Sequence, residues 1–177
     1  GIAYETGTET SSRMRRIADH LRALVFCISD GVLPSNEGRG YVVRRILRTA
    51  LRDGIKLGHE KAFLHLLAPT VVRLMKSAYP SLEERESTII MTLQVEEEGF
   101  LETLEKGEIA LRERIVNKKQ LSGEDAFLLY DSYGFHIELI EDLCRENGAR
   151  VDRKTFETLL KEKREGKSGA FSGAIFE

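Results

Sequence analysis

Between residues 10 and 29, apolar side chains recur at Met14, Ile17, Ala18, Leu21, Leu24, Val25 and Ile28. This is the three-and-four spacing of a helix that buries one face. The same period returns along nearly the whole chain, while the alternation of a half-buried strand is nowhere convincing, so the fold class is all-α. A turn-forming segment at 30–36, containing Gly31 and Pro34, separates the first helix from a second expected at about 38–56. That helix buries Tyr41, Val42, Ile46 and Ala50. A third, strongly apolar helix is predicted at about 61–77, with Pro69 inside it as a kink or break. Ser81 and Glu84 read as a capping box that opens a long helix reaching about 117. Its apolar set of Ile89, Leu93, Phe100, Leu104, Leu111 and Ile115 is sparse between charged flanks, which fits a long exposed helix or a helical hairpin arm. Short helices follow at about 121–135, ending in a turn at 131–134, and at 137–147. Asp152 caps a last helix from about 153, which runs into a Gly/Ser-rich tail at 166–173.

The 177 residues suit one domain with one core, with irregular ends at 1–10 and 166–177. Apolar residues make up 41% and charged residues 32%, the balance of a soluble helical protein with charged faces. No apolar run reaches the roughly 18 residues of a membrane span, and no signal peptide opens the chain, so the cytoplasm is the expected location. The first residue is glycine, which suggests a piece cut from a longer protein. Cys27 and Cys144 lie in apolar contexts without CxxC or Cys/His spacing; both read as core thiols, and no metal site is expected.

Net charge is −2, but it is unevenly spread. Residues 11–56 hold ten basic side chains (Arg13, Arg15, Arg16, Arg22, Arg39, Arg44, Arg45, Arg48, Arg52, Lys56) against four acidic ones (Asp19, Asp30, Glu37, Asp53), an excess of six. Such a split suggests that this third of the chain meets a polyanion. On a helix, Arg44, Arg48 and Arg52 form one stripe with Arg45 beside it. Guanidiniums about 6 Å apart can follow a nucleic-acid backbone, each gripping a phosphate. The plainer alternative is a solvated face paired with acids elsewhere. Gly38, Arg39 and Gly40 at the helix start permit close approach of a ligand backbone, or simply form a tight turn. Asn36 reads as an N-cap or a ligand contact, and Asp131 as a turn residue or a ligand contact. No catalytic set, phosphate loop or metal cluster is recognisable.

Two segments resemble one family. RRIADHLRALVFCISDGVLPSNEGRGYVVRRILRTALR, residues 15–52, is similar to the signature stretch of alanyl-tRNA synthetases just after their class II catalytic core. EDAFLLYDSYGFHIEL, residues 124–139, resembles that family's LYDTYGFP segment at a similar separation, and EEEGFLETLEKG at 96–107 lies between them. The resemblance covers nearly the whole chain and implies an internal tRNA-recognition piece that selects tRNA(Ala) by a G·U wobble pair in the acceptor stem. By that match Asn36 and Asp131 read the pair from the minor groove and Arg44, Arg45 and Arg48 lie near the stem's backbone, where Arg39 and Arg52 are expected from the charge pattern. The piece itself is expected to hold no catalytic residue, metal or cofactor. The parent would use ATP, magnesium and alanine, with zinc a further candidate in its editing domain. Partners so implied are the acceptor stem and the parent's other domains, not membrane or DNA.

The chemistry is consistent with this. A-form RNA presents a wide, shallow minor groove in which guanine's 2-amino group is the base-edge donor. In a G·U wobble that amine is unbonded to uracil, so a carboxylate such as Asp131 can accept from it. Asn36, with both an acceptor and a donor, could bridge the amine and the uracil 2-oxygen. The chain departs from the family pattern at Thr49, where an arginine is usual, at His136, where proline is expected, and at Ile140, where threonine is common. Two other readings remain: a helical protein-interaction module that uses the apolar stripe at 89–115, and a small enzyme with His20 or His136 as base.

Overall fold

The computed structural model describes residues 3–166, and they are predominantly helical. Packing falls into two compact units, Gly1–Glu102 and Thr103–Glu177.

In the first unit, Thr8 caps α1 (Glu9–Ser29) by accepting from the Ser11 N–H at 3.1 Å. Ile17, Leu21, Leu24, Val25 and Ile28 form its buried face; each such side chain withdrawn from water contributes about 1.5–3 kcal/mol. Gly31, at φ +81°, ends α1 in the left-handed conformation. Its N–H donates to the Ile28 carbonyl and that of Val32 to the Cys27 carbonyl, closing the helix by a Schellman motif. The chain then enters α2 (Gly38–Lys56), which packs on α1. The two are joined by buried Asp53, whose carboxylate accepts from Arg13 Nη1 at 2.8 Å and Arg16 Nη2 at 2.6 Å.

α3 (Leu64–Met75) also packs on α1 and buries Leu64, Ala68 and Val72. Pro69 lies within it without ending it. A proline there removes one N–H, yet the helix start just upstream is held from a distance. Glu97 of α5 is 0% exposed and accepts from the backbone N–H groups of Phe63, Leu64 and His65 at 2.9, 2.7 and 2.9 Å, and contacts His65 Nδ1 at 2.8 Å. Four otherwise orphaned or polar groups thus share one carboxylate.

The single long helix expected from Ser81 is two: α4 (Ser81–Glu84) and α5 (Glu86–Ile115). Pro80 stands at the α4 N-cap with no side-chain cap bond, so the capping box does not form. α5 is one continuous helix, not a hairpin. Its apolar positions Ile89, Leu93, Phe100, Leu104, Leu111 and Ile115 are all buried, while Met91, Val95 and Ile109 face solvent.

The second unit contains α6 (Gly123–Tyr133), α7 (Ile137–Glu146) and α8 (Arg153–Arg164), with α6 packed on α7 and α8. A two-residue parallel bridge, β1 (Gln120–Leu121) with β2 (Arg150–Val151), was too short to show in the sequence pattern. Phe127, Tyr130 and Phe156 cluster, the last two edge to face at 5.6 Å. Each helix start is capped locally: Ser122 Oγ accepts from Asp125 N, His136 Nδ1 from Leu139 N and Asp152 Oδ1 from Thr155 N. Most of the Gly/Ser-rich tail lies outside the described residues.

Candidate nucleic-acid interface

Asn36 is exposed in the loop between α1 and α2. It is not the N-cap of α2; Glu37 holds that place and makes no side-chain cap bond. The loop is tied to the helix it precedes: Ser35 N donates to the Gly40 carbonyl at 3.1 Å and Ser35 Oγ to the Glu37 carbonyl at 2.8 Å. Gly40 is buried against this loop. A Cβ there would lie 2.2 Å from Ser35 Oγ and 2.4 Å from the Leu33 carbonyl oxygen. Its lack of a side chain therefore admits the chain's own loop, the tight turn that was one of the two sequence readings. Arg39 is exposed in the first turn of α2.

The Asn36 carbonyl oxygen accepts a hydrogen bond from Arg44 Nη1. Arg44 in turn donates through Nη2 to Glu96 Oε2 at 3.0 Å, and its Nε lies 2.9 Å from Glu96 Oε1. That Nε is buried without a hydrogen-bond partner, so its N–H is misaligned with the nearby oxygen. Arg48 donates to Glu96 Oε1 from Nε at 3.1 Å and from Nη2 at 2.8 Å, and its guanidinium lies 4.6 Å from the centre of the Phe100 ring. Burial lowers the Arg48 pKa; the charge of Glu96 and its hydrogen bond oppose that, and neighbouring Arg44 adds to it.

The arginine stripe is therefore not a solvent-facing basic face. Arg48 and Arg52 are each only 9% exposed, and Arg45 is half-buried. The cause is a register match: Arg44 and Arg48 of α2, four positions apart, meet Glu96 and Phe100 of α5, also four apart. Local charge counting predicted the stripe but could not see the acid opposite it.

Asp131 is in the second unit. It sits in the last turns of α6, not in a turn after it; Gly134, left-handed at φ +65°, is where the helix ends. Its carboxylate is exposed and receives Lys163 Nζ from α8, which also lies 5.9 Å from the Phe127 ring centre. His136, the departure just beyond, is buried and caps α7 with Nδ1 as acceptor at 3.0 Å. An acceptor nitrogen has no proton to share with Glu138 Oε2 at 3.3 Å, so the cap, not an ion pair, accounts for its place. Ile140 is buried, and Thr49 Oγ1 returns a hydrogen bond to the Arg45 carbonyl at 2.9 Å.

His20 lies on α1, half-buried, its pKa lowered by burial and then by the charge of Arg16, with Asp53 and Asp19 opposing. Burial pushes the Cys144 thiol up to about 11, with Glu141 adding to it, whereas Cys27 is only half-buried. Among the described residues no group of three or more His, Cys, Asp or Glu is placed to hold a metal, and no helix is long and apolar enough to cross a membrane.

The family described as tRNA synthetases class II (A) matches residues 1–175. The chain belongs to that family. Within it, the chain is 43% identical to the alanine–tRNA ligase of Fervidobacterium nodosum over 164 residues, which is 93% of the chain and 19% of the relative. It is 45% identical over 162 residues to that of Thermotoga petrophila, covering 92% and 19%. The alanine–tRNA ligase of Xanthomonas axonopodis pv. citri is 47% identical over 166 residues, again 92% of the chain and 19% of the relative. The chain thus spans about a fifth of the length of these relatives.

Proposed function

We propose that this chain is the tRNA-recognition portion of an alanine–tRNA ligase, and that it reads a G·U pair in the tRNA(Ala) acceptor stem from the minor groove. The observation that carries the reading is the exposed Asn36 amide held by Arg44, in a chain 43–47% identical to alanine–tRNA ligases. Asp131, an exposed carboxylate, is the acceptor for guanine's 2-amino group, and Asn36 faces the uracil 2-oxygen. Arg39 is the backbone contact best placed by exposure and Arg45 is half-buried; Arg44, Arg48 and Arg52 would reach phosphate only by leaving their present sites. Activation of alanine with ATP and magnesium belongs to other parts of a cytoplasmic parent.

Asp131→Ala in the parent should cut the preference for a G·U over a G·C acceptor stem about tenfold, the loss of one charge-assisted contact. Equal loss on both stems would mean that Asp131 does not read the pair. The logarithm of the affinity for either stem should fall linearly with log salt concentration, as phosphate contacts require.

A second reading, a protein-interaction module, is favoured by a different face from the one expected. The stripe at 89–115 is buried, but α1, the 57–63 segment and α3 line an apolar cleft of about 1250 Å³ where Leu66 and Leu74 are 67% and 71% exposed. Salt-independent capture of a protein partner, without stem binding, would favour that reading.

A further inference from the structure

We propose that Glu96 is a positioning residue that, through Arg44, fixes which way round the Asn36 amide faces its ligand. This rests on the base-reading role of Asn36 proposed above.

An amide side chain carries an acceptor and a donor on opposite branches, so a half-turn exchanges one for the other. Arginine has five donors and no acceptor. Whatever faces Arg44 Nη1 must therefore be the Asn36 oxygen, and the amide NH2 lies on the other branch, on an exposed side chain. Orientation is thus dictated by Arg44, and Arg44 is dictated by Glu96. The Glu96 carboxylate holds the far side of the guanidinium through Nη2 at 3.0 Å and is itself anchored by two bonds from Arg48, which lies against Phe100. With side chains 23%, 10% and 12% exposed, Arg44, Arg48 and Glu96 have little water to share. Removing the negative charge leaves two guanidiniums four positions apart on one helix face with only a neutral amide between them. Arg44 then turns outward, Asn36 is released, and both amide orientations are populated.

The consequence is specific. In a shallow groove the NH2 branch selects acceptors such as the uracil 2-oxygen, while the oxygen branch selects the guanine amine. An amide free to rotate satisfies either and discriminates less, although the RNA still binds. Arg44 in this arrangement belongs to the base-reading apparatus and contacts no phosphate.

The test titrates the 177-residue chain with two RNA hairpins that differ in one pair, G·U against G·C, over a range of salt concentrations. Glu96→Gln should reduce the G·U preference about five- to tenfold, without flattening the salt slope. The Asn36 side-chain NH2 resonances should move in the same variant without RNA. Arg44→Lys keeps the charge but cannot bridge Asn36 and Glu96, and should show the same loss. Because it leaves the Arg48 pair with Glu96 in place, it also carries the test should Glu96→Gln not fold. Equal weakening on both hairpins, or a flattened salt slope for Arg44→Ala with preference intact, overturns the positioning role. An Asn36→Ala chain that loses its preference while Glu96→Gln retains it overturns that role alone. An Asn36→Ala chain that keeps its preference overturns the base reading and the positioning role together.

Discussion

The two units are organised by different forces. In Gly1–Glu102, three shielded carboxylates reach across helices: Asp53 to Arg13 and Arg16, Glu96 to Arg44 and Arg48, and Glu97 to the start of α3, all at sequence separations of more than thirty. In Thr103–Glu177, most polar partners lie three or four positions apart at helix ends, and the core is an aromatic and aliphatic cluster. The candidate readers inherit this difference. Asn36 is held by an acid network with little access to water, whereas the ion pair of Asp131 is with one lysine, both side chains nearly half exposed. Polar substitutions should accordingly be costly in the first unit and mild in the second.

The sharpest test is Glu97→Ala, which leaves several backbone donors buried without partners. It should destabilise the chain by about 3–5 kcal/mol in urea denaturation; a loss below about 1 kcal/mol would remove the distinction between the units. Asp53→Ala should cost less, about 1–3 kcal/mol, because Arg16 is half exposed and can recover water. Lys163→Ala sits at the other end of the scale. With its pair to Asp131 open to solvent, its effect should stay within about 0.5 kcal/mol, and a larger loss would mean that the second unit also depends on ion pairs.

Acidification separates the units by pH window. The folded pKa of His20 is depressed by burial, below its ordinary 6.5, so the unfolded chain binds a proton first as pH falls. That stability is complete above 6.5 and drains as pH drops toward the folded value. The Asp152 cap has its pKa lowered by bonds to Thr155, so its contribution is present above its ordinary 3.8 and is lost only as pH falls through the folded value. Melting curves taken downward from pH 7 should show the His20 loss begin first, and His20→Gln should remove it.

Where local chemistry decides structure, the sequence was readable. α1, α2 and α7 lie where apolar spacing put them, and Asp152 caps α8 as its position before a helical run suggested. The buried face of α2, however, is Val43, Leu47, Ala50 and Leu51 rather than the expected Tyr41, Val42 and Ile46, of which Val42 is exposed. What escaped has a common cause: the deciding partner was far away along the chain. Glu96 and Glu97 belong to an acidic run that reads as a solvated face, and nothing next to them announces Arg44 or the Phe63 amide. Matching the four-residue spacing of Arg44 and Arg48 against that of Glu96 and Phe100 was the one available signal. Pro69 was expected to kink or break its helix; it does not end it, and the cap that steadies that helix comes from α5. Asp131 was assigned to the turn after its helix because Ser132, Tyr133 and Gly134 resemble one; only the left-handed Gly134 shows that the helix runs to its very edge.

The cap supplied by Glu97 also sets an order of assembly. A helix whose first amides are satisfied by a residue some thirty positions later gains nothing from forming early, because until α5 arrives those amides compete for water. α3 and the beginning of α5 should therefore become protected from hydrogen exchange together, as one cooperative event, while α1 and α2 can pair ahead of them.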